Sequence, residues 1–159
     1  MPTPLIVNGV TYEYPVEGDS PPWGEEATDW AIAVTNVLES VNGSQDILST
    51  IANIANNQTS PTPVVGLAFN PTAVYGAIVT YAVYRVTTGG GAEEEVEVGF
   101  MYISYKPTAA VWDIAVAGGN NADVNFTMNS GGQVLYTSSN MTGSGYSGTI
   151  TFSAKSITN

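Results

Sequence analysis

From Val74 onward the alternation of apolar and polar positions reads as strand. Val74 to Val86 is a long run rich in Val, Ile, Thr and Tyr, residues that suit a pleated, half-buried surface. Thr87-Thr88-Gly89-Gly90-Gly91 supplies a flexible turn, and Glu94 to Tyr105 returns as a second long strand. In that return Val96, Val98, Phe100 and Tyr102 share one face, and Glu95, Glu97, Gly99, Met101 and Ile103 share the other. The clean alternation of the first half predicts an end that is half exposed, and Met101 and Ile103 on the second face predict that the strand's far end is covered on both sides. Shorter strands are expected around Val111–Val116, Val124–Met128, Val134–Thr137 and Thr149–Ser153, separated by Gly/Asn/Ser turns. This spacing of strands and turns predicts a mainly β fold: an antiparallel β-sandwich or jelly-roll-like domain over residues 74–159.

The first 73 residues follow other periods. Leu5-Ile6-Val7 and Val10-Thr11-Tyr12 flank Asn8-Gly9, a two-residue hairpin signal, within an extended N-terminal arm over residues 1–22. A hairpin this short is marginal in water and needs a surface to lie on. Residues 23–58 read as helical. Glu25 and Glu26 fall in the first turn, where their charge complements the helix dipole, and Ala27, Trp30, Ala31, Val34, Val37, Leu38 and Val41 form an apolar stripe. Asn42-Gly43 interrupts it. Ser44 is a plausible N-cap for a second segment carrying Ile47, Leu48, Ile51 and Ile54, so the region holds one short helix or two. Ala27, Val34, Val41, Leu48 and Ala55 recur every seventh residue, with Trp30, Val37 and Ile51 in the companion position and only Ser44 polar there, the pattern of a coiled-coil seam. The alternative is that the helices pack on the chain's own sheet. Residues 59–73 begin as a Pro/Thr/Ser linker and pass into a first strand.

Composition narrows the function. The 159 residues carry 14 Asp and Glu against 3 Lys and Arg, a net charge of −11, with no Cys and no His. This excludes a disulfide framework, a zinc site of the usual N/S type and a His-based triad. Three cations cannot cover a phosphate backbone, so no nucleic-acid partner is expected. No run is long and apolar enough for a spanning helix, and the N-terminus does not read as a signal peptide. Eight acids and no cation fall in residues 1–58, which marks that third as an attachment end facing an external partner or solvent.

Candidate chemistry is sparse. Asp113 and Asp123 are the best carboxylate pair, Glu93-Glu94-Glu95 with Glu97 is a candidate cation attractor or a solvated charge run, and Gly118-Gly119-Asn120-Asn121-Ala122-Asp123 lacks regular calcium-loop spacing. No catalytic, cofactor or metal residue is assigned, and no enzymatic activity is expected. The tyrosines at 75, 81, 84, 102, 105, 136 and 146 crowd the β region, as core and interface residues or as a sugar- or protein-binding face. Tyr12, Tyr14, Trp23 and Trp30 are the candidate partner-binding residues of the arm and helix.

Asn8-Gly-Val-Thr-Tyr-Glu-Tyr-Pro, Gly18-Asp19 and Trp23-Gly24-Glu25-Glu26-Ala27-Thr28-Asp29-Trp30-Ala31 resemble the opening of small virion structural proteins of tailed bacteriophages. Val79-Thr80-Tyr81-Ala82-Val83-Tyr84-Arg85, Trp112, Gly132-Gln133-Val134-Leu135-Tyr136 and Gly148-Thr149-Ile150-Thr151-Phe152-Ser153-Ala154 are similar to the β-domain that ends such proteins and their fibres. Gly119-Asn120-Asn121-Ala122-Asp123-Val124 departs from the compact Gly-Asp turn of those domains. The resemblance implies a homotrimeric virion component assembled in the host cytoplasm. Ala27, Val34, Val37, Val41, Leu48 and Ile51 would then form the trimer seam, and the partner would be the major capsid protein or a tail or neck protein. Capsid decoration (cement) is the leading role implied; a tail, neck or short-fibre component and a carbohydrate- or receptor-binding module are the alternatives.

Overall fold

The structure is a computed structural model that describes residues 3–7, 10–14, 29–35, 45–119 and 121–158. The chain divides into two compact units, Met1–Gly43 and Ser44–Asn159.

In the first unit, β1 (Thr3–Val7) and β2 (Val10–Tyr14) pair antiparallel with Val7 opposite Val10, so Asn8 and Gly9 are the two residues between the strands. The expected hairpin is present. A short helix, α1, covers residues 29–35, with Trp30, Ala33 and Val34 half-buried and Asp29, Ala31, Ile32 and Thr35 exposed, the i, i+3, i+4 spacing of one helical face.

The second unit contains β3 (Ile47–Asn53), β4 (Thr62–Ala68), β5 (Val74–Val86), β6 (Glu94–Lys106), β7 (Val111–Gly118), β8 (Val124–Met128), β9 (Gln133–Ser138) and β10 (Ser147–Thr158). They form an antiparallel five-stranded sheet in the order β3-β10-β5-β6-β7 and a three-stranded sheet in the order β4-β9-β8. One core joins the two layers: Val79, Tyr81, Val83, Met101, Ile150 and Phe152 from the larger sheet meet Val64, Leu67, Phe126, Val134 and Tyr136 from the smaller. Tyr81 packs edge-on against Phe126 across the layers, 5.4 Å between ring centres. β3 pairs with β10 and β4 with β9, the nested first-with-last pairing of a jelly roll. The middle of the chain departs from that scheme, since β5, β6 and β7 run as a meander within one sheet.

The second helical segment is corrected. Residues 47–53 are strand, not helix, and hydrogen-bond along β10. Ile, Thr and Ile in this stretch suit a pleated strand, and Ala52 and Ile54 enter the core only with strand alternation. The sevenfold recurrence through Leu48 and Ile51 is therefore not a helical seam. β3 is a sheet edge with a bulge opposite Phe152–Ala154, which leaves Leu48 85% exposed and Ile51 68% exposed. The sandwich accordingly begins near residue 45 and takes in two strands upstream of Val74.

β4 is the other irregular strand. Its pairing with β9 breaks between Pro63 and Ala68, and the Gln133 side-chain amide spans the gap by donating to the carbonyls of Val64 and Leu67, each at 2.9 Å. An edge position accommodates Pro63, which has no N–H to give a ladder.

Candidate functional site

β6 is covered at Met101 and Ile103 as expected, but Tyr102 leaves the far end open on the other face, and at the near end the glutamate side turns inward. Glu97 points inward and is only 6% exposed, beside Met101 and Ile103, whereas Val96, Val98, Phe100 and Tyr102 point to the outer surface at 44%, 57%, 45% and 50% exposure. Register explains the burial of a carboxylate. Glu97 is one strand away from Tyr81, which pairs with Gly99, and the Tyr81 hydroxyl donates to Glu97 Oε1. The Ala122 N–H donates to Glu97 Oε2 at 2.9 Å, so both oxygens are satisfied. Burial, followed by this contact with a carboxylate, pushes the Tyr81 hydroxyl well above the usual tyrosine range. Gly99 and Gly118 leave the room: a Cβ on either would stand within about 3 Å of the Tyr81 hydroxyl or the Glu97 carboxylate.

Arg85 is the second buried polar centre, fully enclosed at the end of β5. It donates to the carbonyls of Ser139 (2.6 Å) and Ala122 (2.7 Å), to Glu95 Oε2 (3.0 Å) and to the Tyr146 hydroxyl (3.2 Å). Tyr146 lies under the guanidinium at 5.8 Å, and its hydroxyl donates to the Ile54 carbonyl at 2.9 Å. One side chain thereby ties together the β3–β4, β7–β8 and β9–β10 connections. Asn57 and Asp123 take left-handed backbone conformations (φ 52° each), which Asn and Asp tolerate better than most residues. They close the same end through Asn57 N–H to the Ser139 carbonyl and Ser139 N–H to the Asp123 carbonyl.

The remaining acids of the second unit also have protein partners. Glu93 accepts from the Thr142 amide and hydroxyl, and Glu94 from the Tyr84 hydroxyl at 3.0 Å, which raises the Tyr84 pKa. The glutamate run is thus a set of latches at the sheet end rather than a cation attractor or a free charge run. Asp113 pairs with Lys106 at one end of the larger sheet. Asp123 bonds Asn121 and Ser139 at the other, so the two aspartates do not converge. Asp46, one of the eight acids in residues 1–58, pairs with Lys155 and accepts from Ser156 N–H at 2.7 Å, so it answers to β10 and not to an external partner. Lys155 and the Ser156 amide hold its carboxyl down at about 2. Among the described residues no three Asp, Glu, His or Cys side chains are grouped to hold a metal ion.

Two surfaces remain as candidate sites. The first is the outer face of the larger sheet. Val96, Val98, Phe100 and Tyr102 form a ridge along β6, with Phe100 and Tyr102 stacked at 6.4 Å. Beside the ridge, Thr80 and Ala82 of β5 and Thr151 and Ser153 of β10 line a shallow hollow of about 210 Å³. The second is a polar hollow of about 480 Å³ at the latched end, lined by Gln58, Asn121, Asp123, Asn125, Ser138 and Ser139. The first can bury apolar surface against a partner; the second offers amide, hydroxyl and carboxylate groups for hydrogen bonding.

Of the sequence-based site residues, Trp30 and Val34 share the half-buried face of α1, and Tyr12 and Tyr14 lie on β2. Trp23, Ala27, Val37 and Val41 lie outside the described residues. Leu48 and Ile51 are on an edge strand, and Ile51 faces the same side as Thr151 and Ala82. Sequence reasoning missed the hollow, because small residues such as Thr80 and Ser153 carry no signal of their own. The signal for the ridge was present: the apolar residues of β6 fall on both faces, which requires two apolar surroundings.

No family model matches the chain, and no curated protein matches it. Among solved structures, the crystal structure of the Acinetobacter phage vB_ApiP_P1 tailspike protein superposes with a TM-score of 0.36 at 9% identity over 73% of this chain. The chain spans 22% of that protein's length, and a superposition this loose says nothing of activity or partner. Among the described residues no helix is long and apolar enough to cross a membrane.

Proposed function

We propose that the chain is a non-enzymatic structural protein of a phage virion that works by covering apolar surface against other subunits. The observation that carries this reading is the outer face of the larger sheet, where Val96, Val98, Phe100 and Tyr102 stand in a row on a sandwich already closed around its own core. Monomeric soluble proteins rarely leave so continuous an apolar surface without a use for it. The resemblance of the N-terminal stretch and of several β-strands to small virion proteins supplies the setting. Within it the leading role is capsid decoration, with the major capsid protein as partner and the acidic N-terminal unit as the attachment end. Copy number tests this. Quantitative mass spectrometry of purified particles is expected to find hundreds of copies per virion, and particles lacking the chain are expected to release their contents at lower temperature. A dozen copies or fewer would move the chain to the tail, neck or a short fibre.

The polar hollow at the latched end favours a second reading, a carbohydrate- or receptor-binding module. A glycan array probed with the full chain is expected to stay blank under the first reading. Binding abolished by Asp123→Ala or Asn125→Ala would establish the second.

A further inference from the structure

Ridge and hollow lie side by side on a face whose central rows carry no charge, and that arrangement identifies an occupant. We infer that the outer face of the five-stranded sheet is a twofold contact between two copies of this chain, the Phe100 ridge of each seated in the other's hollow. The inference rests on the structural reading above and names the partner of that surface.

Shape is the first argument. A surface that carries a protrusion and a matching depression next to each other is self-complementary under a twofold rotation between them. The ridge is built of Val98, Phe100 and Tyr102 on β6. The hollow adjoins it, with Val98 as the shared wall and small side chains of β5 and β10 (Thr80, Ala82, Thr151, Ser153) along its lining.

Charge is the second argument. At −11, two copies repel wherever their acids approach. From the Val96 row to the Phe100 row, the outward positions of β5, β6 and β10 carry neither acid nor base. The charges at the margins are engaged within the chain: Lys106 with Asp113, Lys155 with Asp46, and Glu94 with the Tyr84 hydroxyl. An apolar centre inside a polar rim is the anatomy of a protein interface, and a basic partner would find nothing to pair with at this centre.

The chain contains no cysteine, so one introduced thiol reports on this face alone. Thr80→Cys in the full chain is labelled with a maleimide over a dilution series, alongside sedimentation of the natural sequence. Labelling is expected to slow at least about tenfold as concentration rises through the dimerisation range, and the species formed is expected to have twice the chain mass. Adding Phe100→Glu is expected to restore fast labelling and weaken association by about 30-fold or more, as for loss of a buried aromatic anchor. Ala82→Arg, which fills the hollow from the other side, is expected to do the same should Phe100→Glu disturb folding. Thr127→Glu, on the exposed side of the smaller sheet, is expected to change neither. Added salt is expected to strengthen the pair by screening like charges, whereas a contact between opposite charges would weaken.

Three results would overturn the inference. A thiol protected at every dilution means that another segment of the same chain covers the face. A thiol reactive at every dilution but protected in assembled particles means that a different protein covers it, which leaves the proposed function standing. An oligomer that survives both Phe100→Glu and Ala82→Arg means that copies associate elsewhere. Absence of the chain from every particle fraction would instead remove the virion reading and leave the pair untouched.

Discussion

The two faces of the five-stranded sheet invert the usual distribution of polar and apolar groups. The inner face carries a carboxylate and a guanidinium, Glu97 and Arg85, both almost without solvent exposure. The outer face carries Val96, Val98, Phe100 and Tyr102, each exposed by about half. The inner polar groups are tolerable because their hydrogen-bonding capacity is met by the Tyr81 hydroxyl of β5 and by backbone groups of the β7–β8 and β9–β10 connections. The outer apolar groups have no such local answer. The inner face thus uses polarity to fix loops, and the outer face uses apolarity to meet other molecules. Hydrophobicity alone does not say which side of a strand is core.

The largest expected effects break the inner face. Arg85→Met leaves Glu95 without its cation, the Ala122 carbonyl without a donor and the Ser139 carbonyl with only the Asn57 amide. It is expected to cost about 3–5 kcal/mol in denaturant unfolding, the range for removing one member of a buried ion pair. Phe152→Ala, at 1% exposure on β10, is expected to cost a similar amount, about 3–5 kcal/mol, through the cavity it leaves. The two differ in where they act. Arg85→Met is expected to raise hydrogen exchange first at the loop amides around Ala122 and Ser139, and Phe152→Ala across the sheet.

Tyr81→Phe is a gentler break. It removes the hydroxyl donor from Glu97 and keeps the ring on Phe126, so the expected loss is about 1–3 kcal/mol, the penalty for a buried acceptor losing one partner. The smallest electrostatic effect lies at Asp46. Its carboxyl is held at about 2 against an ordinary 3.8, so the folded state binds that proton less readily than the unfolded chain does. The stabilisation is complete above the ordinary value and is lost as pH falls from about 4 through about 2. Because Lys155 is largely exposed, the amount is about 1 kcal/mol or less. Asp46→Asn is expected to flatten the stability profile in that window, lowering stability at pH 7 by about that amount and leaving it unchanged below about pH 2.

How far the fold can be read from the chain follows from the same contrast. β5, β6 and β8 are legible because long Val/Ile/Thr/Tyr runs bounded by glycine or asparagine turns have few alternatives, and Asn8-Gly9 announces its hairpin. β3 is not legible. Its Ile47, Leu48, Ile51 and Ile54 fit a 3.6-residue period as well as a bulged strand, and only pairing with a β10 that lies about a hundred residues later decides between them. The face of β6 misleads for a related reason. Glu97 has the look of a solvent-facing residue until Tyr81 and the Ala122 amide are placed against it, and neither is a neighbour in sequence. The latch at Arg85 is hidden likewise, since its acceptors are mostly backbone carbonyls, which no side-chain pattern records.

Met101 and Phe100 test the comparison most closely, because they are adjacent on one strand and point to opposite faces. Met101 is fully buried, and Met101→Ala is expected to cost about 2–5 kcal/mol of folding stability. Phe100→Ser removes a larger side chain, but from a position 45% exposed. At protein concentrations below the association range the change is expected to stay within about 0.5 kcal/mol, as for surface positions free of caps, strain or buried polar contacts. Raising the concentration is expected to separate the natural chain from Phe100→Ser, since association stabilises only the former by mass action, while the gap to Met101→Ala is already present in dilute solution. If Phe100→Ser destabilises the dilute chain as much as Met101→Ala does, Phe100 is core in the monomer. The outer face would then be an inner one, covered from within the chain.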